Sequence, residues 1–397
     1  MTHGLSVQPL RFLGGVLVAA VAVVAVAEGP DDPATTKIAI DALLPAHDHD
    51  VVAALVEAIG RLDPTGGVIY LETGGEYEAK SRTPITRAEG DAEIIITTRS
   101  GDPATINQHE SPGDLLALSG VRNLRIENLR LVGSRASGGN GVVMSDCKGV
   151  TLHDVECRDA GGVGVRITNS TKTKLIRVTV NNAKAHGVRI ADCTDLTLDD
   201  VSVVDAGFYG IGVQNGTQLT RGLKILNSRI IRSGGDGVDI KGQREEGPPL
   251  VVIDGLEVID SGGRKSAALD LRGHVAVKNV RIRLRPGSTG LRFRLGADIG
   301  THEPTNGWAG YGSAEGVTID SDSPDGIGIV VQSGGVTLND CSVSGPVEKK
   351  VEVYEWANKE QPVVLHELSI NGERIADRNQ FLASGGSISK QPTLVFE

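Results

Sequence analysis

The sequence predicts an all-β fold, a parallel β-helix in which coils of short strands stack on one another. A strand-opening glycine recurs in GVVMS at 141, GVRIT at 164, GVRIA at 187 and GIGVQ at 210, a spacing of 23 residues three times running. Each period holds about three short β-like runs, for example GVRI, LTL and VSVV. Tandem units at a fixed period indicate a solenoid. Glycine is 52 of 397 residues, which favours many strands joined by tight turns.

The first 27 residues are predicted to be an export signal. Arg11 precedes an apolar run from Phe12 to Val26, and Ala25-Val26-Ala27 supplies a small-x-small cleavage site. The run is shorter than the ~20 residues that a membrane-spanning helix needs. A retained anchor is the alternative. We therefore expect a secreted or periplasmic protein, or one at the cell surface, without membrane contact after cleavage.

Residues 28–65 are predicted to form an N-terminal segment that ends in a capping helix. The stretch DHDVVAALVEAIGRL (48–62) has the apolar spacing of a helix and acidic residues at its start. A helix here would cover the open end of the first coil, which otherwise exposes unpaired backbone groups.

The β-helix itself is predicted over residues 66–375, followed by a C-terminal cap over 376–397. The strand series continues with GVDIK at 237, ALDLR at 268, GLRFR at 290 and GIGIV at 326, where longer gaps indicate loop insertions. One turn position carries Asn or Asp in most coils, and these residues tolerate left-handed backbone and bond to nearby turn amides. The column comprises Asn128, Asp154, Asp200, Asn227, Asp254, Asn279 and Asp340.

Four cysteines are present, at 147, 157, 193 and 341. An exported protein is permitted disulfides. The repeat places Cys157 and Cys341 at inward strand positions, so we predict that they pack as small apolar side chains.

The combination of a helix, the segment GGVIYLETGGEY and coils with an Asn/Asp ladder resembles the pectate-lyase-like, right-handed parallel β-helix superfamily. The resemblance covers about residues 45 to 375. It implies the fold but no single activity, because that superfamily includes lyases, hydrolases, epimerases, esterases, phage tailspikes and non-enzymatic surface proteins. The polygalacturonase motifs NTD and GHG are missing, with His186-Gly187 only half of the latter, and the epimerase-type DPHD is absent.

Each opening strand should present two columns of side chains on an exposed face, because successive residues alternate in direction. The third positions are Val143, Arg166, Arg189, Gly212, Asp239, Asp270, Arg292 and Gly328. The fifth positions are Ser145, Thr168, Ala191, Gln214, Lys241, Arg272, Arg294 and Val330. His186, Tyr209 and Asp236 precede their strands and should converge on the gap that Gly212 leaves.

These columns predict a basic face on a chain whose formal net charge is −10. The overall charge argues against a nucleic-acid partner. Arginine forks match carboxylates well, so an anionic polysaccharide along the coils is the predicted ligand. Its predicted contacts are Arg166, Gln214, Arg292 and Arg294, with Trp308 and Tyr311 from the loop 297–316. The alternative is a solvated, salt-bridged face without a ligand.

The first functional hypothesis is a secreted lyase that cleaves a uronate polymer by β-elimination. This reaction needs the uronate carboxylate neutralised and a base beside the adjacent C–H proton. Arg189 and Arg272 are predicted to neutralise the carboxylate, and Lys241 is the first candidate base, ahead of His186 and Tyr209. Asp239 and Asp270, about 5 Å apart by coil spacing, are predicted to be able to hold a calcium ion.

Two alternatives stay open. A glycoside hydrolase would use two of Asp236, Asp239 and Asp270, since carboxyl groups on adjacent coils have a separation near the ~5–5.5 Å of retaining enzymes. The other is a non-catalytic exported protein that binds glycan or builds a surface layer. The sequence identifies neither the polymer nor the oligomeric state.

Overall fold

The apolar-alternating runs form strands that pair in parallel with the equivalent strand of the next coil. The computed structural model describes residues 35–397 except 88–89, 100, 109–112, 137, 215–217, 243–246, 264–265, 295–309, 355–360 and 390–392. Both the predicted signal segment 1–27 and Trp308 lie outside the described residues. In the part that is described, no helix is long and apolar enough to cross a membrane.

Each repeating coil contributes one strand to a 12-stranded sheet, here called the narrow sheet, and two strands to a 25-stranded sheet, the wide sheet. The narrow sheet comprises Ile85–Thr86, Leu116–Ser119, Val142–Ser145, Val165–Thr168, Val188–Ala191, Ile211–Gln214, Val238–Ile240, Ala267–Leu271, Thr289–Phe293, Ile327–Val331, Lys349–Val353 and Gly386–Ile388. The wide sheet comprises Lys37–Ala39, Gly67–Leu71, Glu76–Ala79, Ile94–Thr98, Ala104–Gln108, Leu124–Val132, Thr151–Arg158, Lys174–Ile176, Thr179–Asn181, Thr197–Asp199, Ser202–Val204, Leu223–Leu226, Arg229–Ile231, Val251–Asp254, Glu257–Ile259, Gly273–Lys278, Arg281–Arg283, Gly310–Glu315, Thr318–Asp320, Val336–Asn339, Ser342–Ser344, Val363–His366, Ser369–Ile370, Glu373–Arg374 and Leu394–Phe396.

The predicted repeat is confirmed in the narrow sheet, apart from one strand. Val188 pairs with Val165 on one side and Ile211 on the other, and the inward residues are fully buried. The exception is the strand after Phe293, where Val330 and not Gly328 lies opposite Arg292. Gly328 lies instead against Gly290, the glycine that opens the strand of the coil before. The sequence alignment of this strand, which began at Gly326, was therefore wrong by two residues. A shift of two leaves inward and outward faces unchanged.

The turn column lies between the two wide-sheet strands of a coil or, for Asn128 and Asp154, within the single strands Leu124–Val132 and Thr151–Arg158. Asn128, Asp154, Asp200, Asn227, Asn279 and Asp340 all have φ between 47° and 56°, as predicted for a left-handed turn. Asp254 was placed there wrongly, because Gly255 takes the left-handed conformation (φ 71°). The ladder is offset: Asn279 donates to Asp254 Oδ1 (2.8 Å) one coil earlier.

Short elements cover both ends. Helix α1, Val51–Leu62, begins where the Asp50 side chain accepts from Val52 N, and it buries one face on the first coils. Two 3₁₀ helices, Ile40–Ala42 and Leu44–His47, precede it. At the other end, helix α2, Arg378–Ala383, buries Phe381. The predicted N-terminal capping helix is therefore confirmed.

All four cysteines are buried and free of disulfides. Burial raises the pKa of the thiols of Cys157 and Cys341 to about 12. The interpretation of these two residues as small apolar core side chains agrees with the structure.

Candidate active site

The narrow sheet brings the predicted charged residues into two adjacent columns. Gly212, Asp239, Asp270 and Arg292 lie directly opposite one another on four successive coils. Val238 and Ile240 point into the core and are buried, so Asp239 points to the outer side of the sheet as the alternation predicts. The sequence therefore placed these side chains on the right face.

The expected exposure of this face was wrong for three carboxylates and one arginine. Asp239 and Asp270 are 0% exposed and Arg272 is 3% exposed. Asp236 is also buried, and its Oδ1 accepts from Ala267 N (2.5 Å). These side chains are buried because they pair with one another above the sheet.

The ion pairs run between coils. Arg272 donates to Asp239 Oδ1 (2.5 Å), and its guanidinium is 3.7 Å from Asp270 Oδ2. Arg292 donates to both oxygens of Asp270 (2.9 and 2.8 Å), and Arg294 donates to Oδ2 (3.0 Å). The arginines thus offset the repulsion between two aspartates in direct register. We call the three aspartates with Arg272, Arg292 and Arg294 the carboxylate cluster.

The protonation of the three carboxyl groups differs. Burial, reinforced by the negative charge of Asp270, raises the pKa of Asp236 to about 7. Burial also raises the pKa of Asp239, although Arg272 opposes it. Burial alone would raise the pKa of Asp270, but the charge and hydrogen bonds of Arg292 outweigh it and lower that pKa. Asp236 is therefore the member that changes charge near neutral pH.

A cluster of three rings lies one coil before the carboxylate cluster. The ring centroids of His186 and Tyr209 are 5.0 Å apart, and Phe208 stacks on Tyr209 at 4.0 Å. A Cβ at Gly212 would lie 3.1 Å from His186 Nδ1 and 3.2 Å from Tyr209 Cδ2. The missing side chain of Gly212 thus makes room for the rings, as the sequence predicted for His186 and Tyr209. We call His186, Phe208 and Tyr209 the aromatic cluster.

Both titratable rings are held in their neutral forms. Burial lowers the pKa of His186 to about 4, and the charges of Arg189 and Lys241 add to this. Burial also raises the pKa of the Tyr209 phenol, as do the negative charges of Asp239 and Asp236. His186 is 7% exposed, and its Nδ1 has no hydrogen-bond partner among the described residues. Neutral imidazole and neutral phenol side by side can exchange protons with a bound substrate.

Cationic side chains border the aromatic cluster. Arg189 donates to Gln214 Oε1 (2.6 Å), and Arg166 lies opposite Arg189 one coil earlier. Burial lowers the pKa of Arg189, with a further contribution from the charge of Arg166. Lys241 Nζ is 3.8 Å from Asp239 Oδ2. The arrangement therefore supplies positive charge beside two neutral proton-transfer groups.

The three aspartates are also close enough together to share a cation, since one oxygen from each lies within 4.8 Å of the others. Calcium takes six to eight oxygen ligands. Here both oxygens of Asp270 and one of Asp239 accept from arginines, and the surrounding guanidinium charge opposes a cation. The side chains in this arrangement therefore do not fit calcium.

One predicted contact, Tyr311, is not in this region, and one residue was missed. Tyr311 lies on the wide sheet, where its ring stacks on His274 at 4.5 Å, and Trp308 is outside the described residues. Phe208 was not predicted, because the repeat alignment began at Gly210. Its signal is the dipeptide Phe208-Tyr209 in a chain with only 3% aromatic residues.

A family model described as a right handed beta helix region matches residues 94–287, just under half of the chain. No curated protein matches by sequence. Among solved structures, the A-module of mannuronan C-5 epimerase AlgE6 from Azotobacter vinelandii has a TM-score of 0.51 at 14% identity, covering 90% of this chain and 100% of that chain.

Two further solved structures share the fold. The surface protein and adhesin PfbA of Streptococcus pneumoniae has a TM-score of 0.56 at 12% identity, covering 89% of this chain and 100% of that chain. The catalytic domain of a GH87 alpha-1,3-glucanase in complex with nigerose has a TM-score of 0.56 at 15% identity, covering 93% of this chain and 70% of that chain. At these identities the likeness concerns architecture alone. Together with the strand pairing described above, it identifies the chain as a right-handed parallel β-helix protein.

Proposed function

We propose that the protein is an exported polysaccharide lyase that cleaves a uronate polymer by β-elimination at the aromatic cluster. The observation that carries the proposal is the pair of neutral rings, His186 and Tyr209, 5.0 Å apart and bordered by the cations Arg189 and Lys241. Such a site offers a base, an acid and a cation that can pair with the carboxylate of the substrate, all within one or two coils.

In the proposed reaction, Arg189 pairs with the uronate carboxylate, oriented by its hydrogen bond to Gln214 (2.6 Å). His186 removes the proton from the carbon beside that carboxylate. Its Nδ1 is turned toward Gly212, so Nε2 is the nitrogen that takes the proton. The C–H electron pair forms the new double bond as the glycosidic C–O bond breaks, and the Tyr209 phenol protonates the departing oxygen.

Two roles predicted from the sequence change in this proposal. Lys241 Nζ lies 3.8 Å from Asp239 Oδ2, and its proposed role is to contribute positive charge and not to act as the base. Arg272 is buried and hydrogen-bonded to Asp239, so its proposed role is to position Asp239 and not to contact substrate.

The fold comparisons support a polysaccharide ligand in general terms. The neighbours include one protein titled mannuronan C-5 epimerase and one titled alpha-1,3-glucanase. Since another is an adhesin, fold alone does not decide between catalysis and binding.

The test is an assay against polygalacturonate, alginate and glycosaminoglycans, with calcium or with a chelator, in which the ultraviolet absorbance of the unsaturated product is followed. We expect a chelator-insensitive signal that falls about 100-fold or more in His186→Ala and in Tyr209→Phe, as is typical for the loss of an acid–base group. Lys241→Met should retain more activity than either. Product formation by His186→Ala at the wild-type rate would refute the mechanism.

A second candidate is a glycoside hydrolase, which the protonation of the carboxylate cluster favours. Asp236, with a pKa of about 7, is suited to a general acid, and the ionised Asp270 has an oxygen within 4.8 Å of it. Reducing ends without unsaturated product, lost in Asp236→Asn, would establish this reaction. Binding without either product would leave the non-catalytic alternative.

A further inference from the structure

We infer that Phe208 is a sugar-stacking platform that holds one pyranose ring of the polymer beside His186 and Tyr209. The inference rests on the proposed function for the identity of the ligand, an acidic polysaccharide. It assigns a binding role to a residue that takes no part in the proton transfers.

The exposure of Phe208 is the first argument. It is 48% exposed, and among the described residues only Leu382 (46%) is a comparably exposed large apolar side chain. Tyr209 covers one face of the ring, with the two planes 23° apart, and His186 approaches at 68°. About half of the side chain remains accessible to solvent beside these two rings. An exposed aromatic ring beside perturbed titratable groups is typical of a binding site.

Neighbouring coils fix the backbone of Phe208 and pack against its ring. Phe208 N donates to Ala185 O (2.9 Å), and Gly235 of the next coil donates its N–H to Phe208 O (2.8 Å). A Cβ at Gly235 would lie 3.0 Å from Tyr209 Cδ1 and 3.3 Å from Phe208 Cδ2. Gly235 therefore permits both rings to lie close against the backbone of the adjacent turn. A ring that is already ordered costs little entropy when it binds.

The surroundings select the ligand class. A pyranose ring presents one apolar face of C–H groups within a rim of hydroxyls, which matches a single ring set among polar residues. An apolar protein partner would require a larger contiguous apolar patch. Arg189 lies on the strand that pairs with Ile211–Gln214, Arg166 lies one coil earlier, and Lys241 directly follows the strand on the other side. These three residues supply the charge that an acidic sugar requires. Coils about 4.8 Å apart place these cations along the path of a polymer that crosses the sheet.

The experiment measures binding separately from turnover. Affinity electrophoresis in gels that contain polygalacturonate, alginate or hyaluronan would compare wild type with Phe208→Ala, Phe208→Leu and Phe208→Tyr. We expect about 3- to 10-fold weaker binding for Ala and Leu, and near-wild-type binding for Tyr, because only the ring face stacks. Leu382→Ala is the matched control and should bind as wild type. Phe208→Leu keeps the apolar bulk, so it separates loss of stacking from loss of packing.

The same variants in the His186→Ala background separate this inference from the lyase proposal. Binding that still depends on Phe208, in a protein that forms no product in either background, supports the platform and refutes the lyase. Turnover by wild type with an unchanged KM in Phe208→Ala refutes the platform and leaves the lyase. Equal binding by wild type and Phe208→Leu, or no binding of wild type to any of the three polymers, also overturns the inference.

Discussion

Asp236→Asn should remove a pH-dependent loss of stability. The side chain is buried against Asp239, Asp270 and Arg292, and its pKa is raised from 3.8 to about 7. A difference of about three pKa units corresponds to about 4 kcal/mol of interaction that favours the protonated form. Asparagine is a neutral isostere whose oxygen can still accept from Ala267 N.

The sign follows from proton linkage. Because the folded state raises the pKa of Asp236, the folded chain binds this proton more tightly than the unfolded chain does. The stabilising contribution is complete below pH 3.8 and is lost as the pH rises to about 7. Between pH 5 and pH 8 the loss should be roughly 2–3 kcal/mol in wild type and near zero in Asp236→Asn.

Urea unfolding at pH 5 and pH 8 would measure this. Protonation of His186 affects both proteins alike, so the difference between wild type and variant isolates Asp236. Asp205→Asn is the control, because Arg232 lowers the pKa of this exposed carboxyl and its titration lies below the range tested. Equal pH dependence in wild type and Asp236→Asn would refute the reasoning.

Two further predictions concern stability. Asp270→Asn removes the carboxylate that pairs with Arg292 and Arg294, so urea unfolding should show that the free energy of unfolding falls by about 3–5 kcal/mol. The control is Asp260→Asn, which breaks an exposed pair and should lower it by less than about 1 kcal/mol. Equal losses in the two variants would contradict the assignment of Asp270 to a buried ion pair. Asn227→Ala should cost about 1–2 kcal/mol, since alanine is disfavoured at φ 47°. Asn227→Gly should recover most of that loss when both variants are unfolded in urea. A glycine variant no more stable than the alanine variant would argue against backbone conformation as the cause.

The fold was predictable because the coils of a β-helix have nearly equal lengths, which appear in the sequence as a fixed period. The spacing of 23 residues aligned Val142, Val165, Val188 and Ile211 correctly, and those four residues stack in register. The prediction failed at Gly328, where an insertion interrupts the period and an alternating apolar run offers two registers with the same inward face.

The composition of the site was predictable, but its burial was not. Alternation placed Asp239 and Asp270 on the outer side of the narrow sheet, which is correct. Whether such residues meet solvent depends on the conformations of Arg272, Arg292 and Arg294 in later coils, and a residue pattern does not encode those. The raised pKa of Asp236 could not be predicted either, because it results mainly from the burial of this side chain.

The strands on either side of two loop insertions pair directly across them. Ile240 meets Leu271 although 31 positions separate them, and Phe293 meets Val331 across 38 positions. The number of residues in each insertion is therefore independent of how the strands on either side pair. An engineer can replace the segment after Ile240 or after Phe293 with one of another length and sequence while the paired strands keep their register.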